Sequence, residues 1–222
     1  MAGGAAKRLN QPPSEMGQRK YLRLLVSLAA VAVPGYPISG WGDEGPIGLV
    51  LERSLAAADV FQEVAGAKST VLVPGRRTSA GVNTFTKEEW VAESLEWPEV
   101  MASAMSIADQ IIEKMAIQWE RDKNGVILYG VVRSDDPFLG SAMFSKQFLG
   151  KFRAELGGEL FVLVPEQGWM FVFPRHGGRL EDFSGSLAEI YAGSALRVSL
   201  EVFLVNEAEC RAIGTLGGDP QE

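Results

Sequence analysis

The sequence is poor in the side chains that most often build metal centres and disulfide frameworks. Its 222 residues include one cysteine, Cys210, and one histidine, His176. A single cysteine cannot form an intramolecular disulfide or a cysteine-based zinc site, and a single histidine cannot form a multi-histidine metal centre. The sequence also contains neither a Walker-type phosphate loop nor a Gly-x-Ser-x-Gly nucleophile elbow. These absences exclude several large classes of enzyme, and we predict no cofactor.

Basic residues are in the minority. The chain has 28 acidic and 21 basic residues, which give a formal net charge of −7. A protein that binds the nucleic-acid backbone without sequence preference needs a basic surface. We therefore predict no nucleic-acid partner. An uncharged stretch at residues 24–33 is too short to cross a bilayer, so no stable membrane span is predicted either.

The N-terminal region admits two interpretations. Arg19, Lys20 and Arg23 precede residues 24–33, and the Ala-Val-Ala sequence at residues 30–32 has the small-x-small form that a signal peptidase accepts. The leucines of the same stretch, together with Val31, also fit one face of a core helix. The pattern favours the helix, and with it a soluble cytoplasmic protein. The alternative is a cleaved signal peptide and an exported protein.

Composition divides the chain into five segments. A small, polar and proline-bearing start predicts a disordered tail, and three prolines with five glycines in PGYPISGWGDEGPIG predict a linker. The predicted segments are a disordered tail at 1–18, the helix or signal-like segment at 19–33, the linker at 34–48, one α+β domain at 49–210 and a flexible tail at 211–222.

Apolar periodicity predicts the elements of the domain. Strands are indicated at 48–53, 69–74, 126–132 and 196–205, and helices at 55–64, 144–156 and 183–191. From Thr84 to Arg121 we predict two consecutive helices that are broken at Trp97 and Pro98, because proline suits the first turn of a helix. Strands and helices do not alternate strictly. The sequence therefore predicts an α+β fold, with a mixed or antiparallel sheet and helices packed on one face.

A hairpin is predicted late in the domain. The runs Leu160–Val164 and Trp169–Phe173 are apolar and rich in β-formers, and Glu166-Gln167-Gly168 is a connection of hairpin length. We predict that the two runs pair antiparallel in the core sheet and that Phe161 and Phe171 are not both exposed.

Two short polar sequences are candidate binding sites. Asp135 and Asp136 follow a predicted strand, and adjacent carboxylates can hold a divalent cation or raise each other's pKa. Arg175 and His176, in PRHGGR, could contact an anion. Aspartates before a proline commonly form a turn, and a polar run beside two glycines is commonly a solvated loop. The structural interpretation is favoured for both.

The order of strand, Asp-Asp, serine, helix and a Val-x-Val-Pro strand resembles the YtpQ-like group of uncharacterised bacterial proteins. The matching residues are Asp135, Asp136, Ser141, Val162, Val164 and Pro165, and the helices of TKEEW and WPEVMASAM precede them in the expected place. The resemblance covers about residues 69–173. It implies an intracellular bacterial α+β protein and assigns no site by itself. The candidate binding residues are Asp135, Asp136, Ser141, Arg175 and His176.

Two classes of function follow from these features. The first is a non-enzymatic binding or scaffolding module that recognises a protein or a small ligand through the hairpin side or the proline- and glycine-rich loop. The alternative is a metal-dependent or hydrolytic enzyme that uses Asp135 and Asp136. The first class is favoured because the sequence contains no recognisable catalytic constellation.

Overall fold

A computed structural model describes three stretches of the chain, residues 45–54, 59–78 and 81–217. The predicted tail at 1–18, the segment at 19–33 and most of the linker at 34–48 lie outside the described residues. The contacts of the described residues place them in one unit. Within these stretches, no helix combines the length and the apolar character needed to cross a membrane.

The described residues form ten strands, four α-helices and two 3-10 segments. The strands are β1 (Ile47–Arg53), β2 (Gln62–Glu63), β3 (Thr70–Thr78), β4 (Gly81–Thr84), β5 (Ile117–Arg121), β6 (Ile127–Arg133), β7 (Leu160–Glu166), β8 (Trp169–Pro174), β9 (Glu201–Val205) and β10 (Cys210–Thr215). The helices are α1 (Lys87–Ala92), α2 (Trp97–Lys114), α3 (Phe148–Leu156) and α4 (Ser184–Gly193). The first 3-10 segment is Leu139–Phe144 and the second is Leu180–Phe183.

The strands form two antiparallel sheets. In the smaller sheet, β3 pairs with β1, β2 and β4. The larger sheet has the order β10-β9-β7-β8-β6-β5, and every neighbouring pair is antiparallel. The predicted α+β class with an antiparallel sheet is confirmed.

Helical elements lie on both faces of the larger sheet, whereas one face was predicted. Along β7, Val162 and Val164 pack with residues of α2, α3 and the first 3-10 segment. Leu163, which points the other way, packs with Leu187 of α4 and with the second 3-10 segment. The central strands are apolar at both odd and even positions, so both faces need cover.

The predicted hairpin is present as β7 and β8. Phe161 lies opposite Phe173, and Leu163 lies opposite Phe171. Phe171 is buried and Phe161 is half-buried, as the prediction required. In the turn, Gly168 has a φ of +87°, and a Cβ atom there would lie 2.6 Å from the Ser134 carbonyl oxygen. This position therefore requires glycine.

The helix break at Trp97 and Pro98 is confirmed. Helix α1 begins with a capping box, in which Thr86 Oγ1 accepts from the Glu89 N–H and the Glu89 carboxylate accepts from the Thr86 N–H. Helix α2 begins at Trp97, with Pro98 in its first turn.

The prediction that Thr84–Arg121 consists of two helices is nevertheless wrong, because the span contains a strand: residues Ile117–Arg121 form β5. Helix α2 ends at Lys114, and Met115 is already extended. Strand β5 pairs with β6 across a turn at residues 122–126. There Asp122 Oδ1 accepts from the N–H groups of Asn124 and Val126, at 2.8 and 2.9 Å. Lys123-Asn124-Gly125 thus lies in the turn of a β-hairpin.

The predicted domain boundaries at 49 and 210 also need correction. Strand β1 begins at Ile47, inside the predicted linker, and its Ile47 carbonyl accepts from Ser103 Oγ at 2.8 Å. At the other end, β10 continues to Thr215, because Cys210–Ala212 and Gly214–Thr215 pair with β9. Residues 211–215 are therefore part of the sheet and not of a tail.

Three further elements differ from their predicted bounds. Of the helix predicted at 55–64, the described residues 59–64 contain the short strand β2 and no helix. The helix predicted at 144–156 begins at Phe148, after the first 3-10 segment. The strand predicted at 196–205 is regular only from Glu201, although Val198 and Ser199 donate to carbonyls of β7.

Candidate functional site

Asp136 joins the two sheets. Its Oδ2 atom lies 2.5 Å from Arg77 Nη2 of β3, and its Oδ1 atom accepts from the Phe138 N–H at 3.1 Å. The Arg77 guanidinium also lies over the Phe138 ring, 5.3 Å from its centroid. Asp136 therefore caps the turn that leads into the first 3-10 segment and fixes it to β3.

Asp135 and Ser141 do not converge with Asp136 on a common cavity. Asp135 is exposed. Ser141 is buried, and its Oγ donates to the Phe138 carbonyl at 2.8 Å, one turn earlier in the same segment. In the described part of the chain, no group of three or more His, Cys, Asp or Glu side chains is placed to hold a metal ion.

Arg175 and His176 contact one carboxylate at the surface. Arg175 Nη1 and His176 Nε2 each lie 2.8 Å from an oxygen of Glu159, in the turn between α3 and β7. The hydrogen bond to His176 holds the pKa of the Glu159 carboxyl below its usual range, and Arg175 adds to this effect. An anion at this place would compete with Glu159.

Glu201 is a buried carboxylate that sequence reasoning missed. It is 2% exposed and accepts from the N–H groups of Lys68 and Ser69 at 2.6 and 3.1 Å, and from the hydroxyl of Thr70. One sequence feature could have identified Glu201: it is a glutamate within the apolar run of β9, at a position that shares a face of the strand with Phe203. With all these donors in place, Glu201 is a structural link between β9 and the start of β3.

A cleft of about 200 Å³ lies between the β3–β4 hairpin and α1. Its lining residues come from these two elements and the residues between them, and they are Arg76, Thr78, Asn83, Thr84, Phe85, Glu89 and Glu93. Arg76 and Arg77 are adjacent in the sequence. Because β3 alternates its side chains between faces, the fold places Arg76 in this cleft and directs Arg77 to Asp136.

Arg76 is held firmly in the cleft. Its Nη1 and Nη2 atoms contact the two carboxylate oxygens of Glu93 at 2.9 and 2.6 Å, its Nε donates to the Gly45 carbonyl at 3.2 Å, and its guanidinium lies 4.8 Å from the Phe85 ring centroid. The hydrogen bond from Arg76 keeps the pKa of Glu93 below its usual range. Glu93 is therefore ionised at neutral pH.

The cleft has an excess of negative charge. Among the described lining residues, Glu89 and Glu93 supply two carboxylates against one guanidinium, and the Glu89 carboxylate accepts from uncharged groups, the N–H and hydroxyl of Thr86. Threonine hydroxyls and an asparagine amide add hydrogen-bond acceptors to the lining. Such a lining suits an ammonium or guanidinium group better than an anion, because the arginine is already bound to a carboxylate.

The one thiol of the chain does not offer a nucleophile. Burial raises the pKa of the Cys210 thiol to about 12, and Glu209 adds to the increase. The thiol is therefore protonated at neutral pH, in the form that neither attacks electrophiles nor binds metals well.

Comparisons with protein-family models, with curated proteins and with solved structures found no match to this chain. The resemblance to the YtpQ-like group stays a prediction.

Proposed function

We propose that the protein is a non-enzymatic binding module whose cleft accepts a lysine or arginine side chain of a protein partner. The observation that carries this proposal is the charge of the cleft: two carboxylates face one guanidinium that is already engaged in a bidentate pair with Glu93. A cation that enters the cleft gains hydrogen bonds to a charged acceptor, which are stronger than those between neutral groups.

The size of the cleft favours a side chain over a whole small molecule. Its volume of about 200 Å³ is below the ~300 Å³ at which typical small-molecule pockets begin. A partner would extend beyond it onto the surface of α1 and the start of α2. That surface is acidic, with Glu88, Glu96 and Glu99 exposed, and Val91 is 74% exposed there. A basic protein segment with an apolar neighbour complements these groups.

The enzymatic alternative has less support. Asp136 is engaged by Arg77 and by the Phe138 N–H, and Asp135 is exposed. A carboxylate that is bound to a guanidinium is a poorer metal ligand and a poorer base than an unengaged one.

The proposal can be tested by NMR titration of the ¹⁵N-labelled protein with N-acetyl-arginine amide, its lysine counterpart and its glutamate counterpart. We expect the two basic probes to shift amide signals of residues 76–93 at millimolar concentration and the glutamate probe to leave them unchanged. Glu89→Gln keeps an oxygen that accepts from the Thr86 N–H but removes the charge that no guanidinium neutralises, and it should weaken binding of the basic probes about tenfold.

Glu113→Gln is the matched control, because Glu113 is an exposed glutamate at the far end of α2. It should leave binding unchanged. Equal loss in both variants would show that the probes respond to the overall charge. Shifts confined to another part of the molecule, or none at all, would refute the cleft as the binding site.

A further inference from the structure

Strand β5 is an edge of the larger sheet that none of the described elements covers. The opposite edge, β10, is covered: the Ala212 N–H donates to the Ala65 carbonyl at 2.8 Å, and a Cβ atom on Gly66 would lie 2.2 Å from the Ala212 carbonyl oxygen. A bulge between Ala212 and Gly214 further interrupts that strand. Bulges and covering loops are the usual means of protecting a sheet edge.

In residues 45–54, 59–78 and 81–217, no loop or bulge protects β5 in this way. Among the described elements, β6 is the one with which β5 is in extensive contact. Among the described residues, no backbone hydrogen bond joins residues 117–121 to a strand other than β6. Strand β5 has no proline, and the irregularity in its pairing lies at an extra residue of β6, Leu128. Its outer N–H and C=O groups can therefore receive another strand.

We propose that β5 pairs antiparallel with β5 of a second copy of this chain, about a two-fold axis at Trp119. This register places Ile117 opposite Arg121 of the other copy and Gln118 opposite Glu120. The sequence of the strand is thus self-complementary, since an amide meets a carboxylate twice and no charge meets its like. The two six-stranded sheets become one continuous sheet, and the symmetry closes at two copies.

The charge and the burial around β5 support this partner. Although the chain carries a net charge of −7, residues 116–124 contain two acidic and two basic side chains, so this edge is locally neutral. Trp119 is half-buried and lies edge-to-face with Phe152, 6.1 Å between centroids. Pairing across the axis brings the two Trp119 residues together, and cross-strand aromatic pairs stabilise sheets.

The test is sedimentation of the full-length protein from about 1 µM to 1 mM. We expect a mass that rises toward the dimer with concentration. Gln118→Glu places like charges opposite each other twice, and it should weaken the dimer about tenfold. Adding Glu120→Lys to that variant turns both contacts into opposite-charge pairs, and it should restore or tighten the dimer.

Gln147→Glu is the matched control, since it makes the same charge change at an exposed position beside α3. It should leave the dimer unchanged. A monomer at every concentration would overturn the proposal. A dimer that Gln118→Glu does not weaken would also overturn it. The same holds for a dimer that Gln118→Glu and Gln147→Glu weaken equally.

Discussion

Asp135 and Asp136 are neighbours in the sequence with different surroundings. Asp136 binds the Arg77 guanidinium and the Phe138 N–H, whereas Asp135 is exposed. We expect Asp136→Ala to lower the free energy of unfolding by about 2 kcal/mol, because a half-buried charge and a backbone donor lose their acceptor. Asp135→Ala should change it by less than about 0.5 kcal/mol. Urea denaturation of the two variants measures the difference, and equal effects would contradict this account of Asp136.

Calorimetric titration with magnesium, calcium and manganese tests the enzymatic alternative at the same residues. Because Asp136 is already paired with Arg77, we expect that none of these cations binds in the micromolar range. Micromolar binding that disappears in the Asp136→Asn variant would instead support a metal-dependent function. Asparagine still accepts from the Phe138 N–H, so this variant separates loss of the cation from loss of the turn.

Single residues show where sequence reasoning about the site reaches its limit. The turn at Asp135-Asp136 could be predicted, because aspartate before proline forms turns through contacts within a few residues. The partner of Asp136 could not, since Arg77 is 59 positions away and only the pairing of strands brings it near. The same holds for Arg76 and Glu93, which form the cleft only once β3 and α1 are adjacent.

At the scale of elements, Glu159 ties the end of β8 to the turn between α3 and β7. Its pKa is lowered by the hydrogen bond to His176 and then by Arg175. A carboxyl whose pKa is lower in the folded state stabilises that state above its unfolded pKa, ~4.3, and the contribution is lost as pH falls through the folded pKa.

We therefore expect His176→Ala to raise the pKa of Glu159 toward its ordinary value, and Arg175→Ala to raise it less. NMR titration of the Glu159 side chain in the two variants measures this. A pKa that neither change moves would show that the contacts do not persist in solution. Arg179→Ala is a control, since Arg179 pairs with Asp182 and not with Glu159.

The helix boundary at Lys114 shows why one element was mispredicted. Met115 and Trp119 are four positions apart, so their apolar side chains continue the helical pattern of α2. The alternation of Ile117 and Trp119 with polar residues, followed by Asn124-Gly125, is equally a hairpin pattern. Pairing with β6 decides between them. The β7–β8 hairpin had no such ambiguity, because both its runs are short and end at a turn.

At the scale of the whole molecule, the buried carboxylate of Glu201 holds the two sheets together. Glu201→Ala leaves the N–H groups of Lys68 and Ser69 without their acceptor, and we expect it to lower the free energy of unfolding by about 3 kcal/mol. Glu201→Gln should cost less, because its amide oxygen still accepts. The exposed pair of Glu207 with Arg153 provides the control, and Glu207→Ala should cost less than about 1 kcal/mol. Urea denaturation compares all three, and equal losses would contradict the proposed link.

The fold class could be predicted from the sequence, whereas the arrangement of the sheets could not. When apolar runs of strand length do not alternate strictly with helices, they indicate an α+β protein with an antiparallel sheet. The strand order depends on which runs meet, and β9 reaches β7 only after α4 has crossed the sheet. At the ends of the domain, Ile47 is ordered by pairing with Arg76 of β3 and Arg211 by pairing with Leu204 of β9, and the composition of the flanking segments did not indicate either strand.

The link made by Glu201 also bears on how the chain folds while it is being synthesised. Glu201 lies 131 to 133 residues after the groups that it binds. At about 5–20 residues per second, a ribosome takes roughly 7 to 26 s to add that length. During this interval the growing chain contains residues 68–70 but not the carboxylate that accepts their hydrogen bonds. The N–H groups of Lys68 and Ser69 therefore stay without their native acceptor for seconds during synthesis.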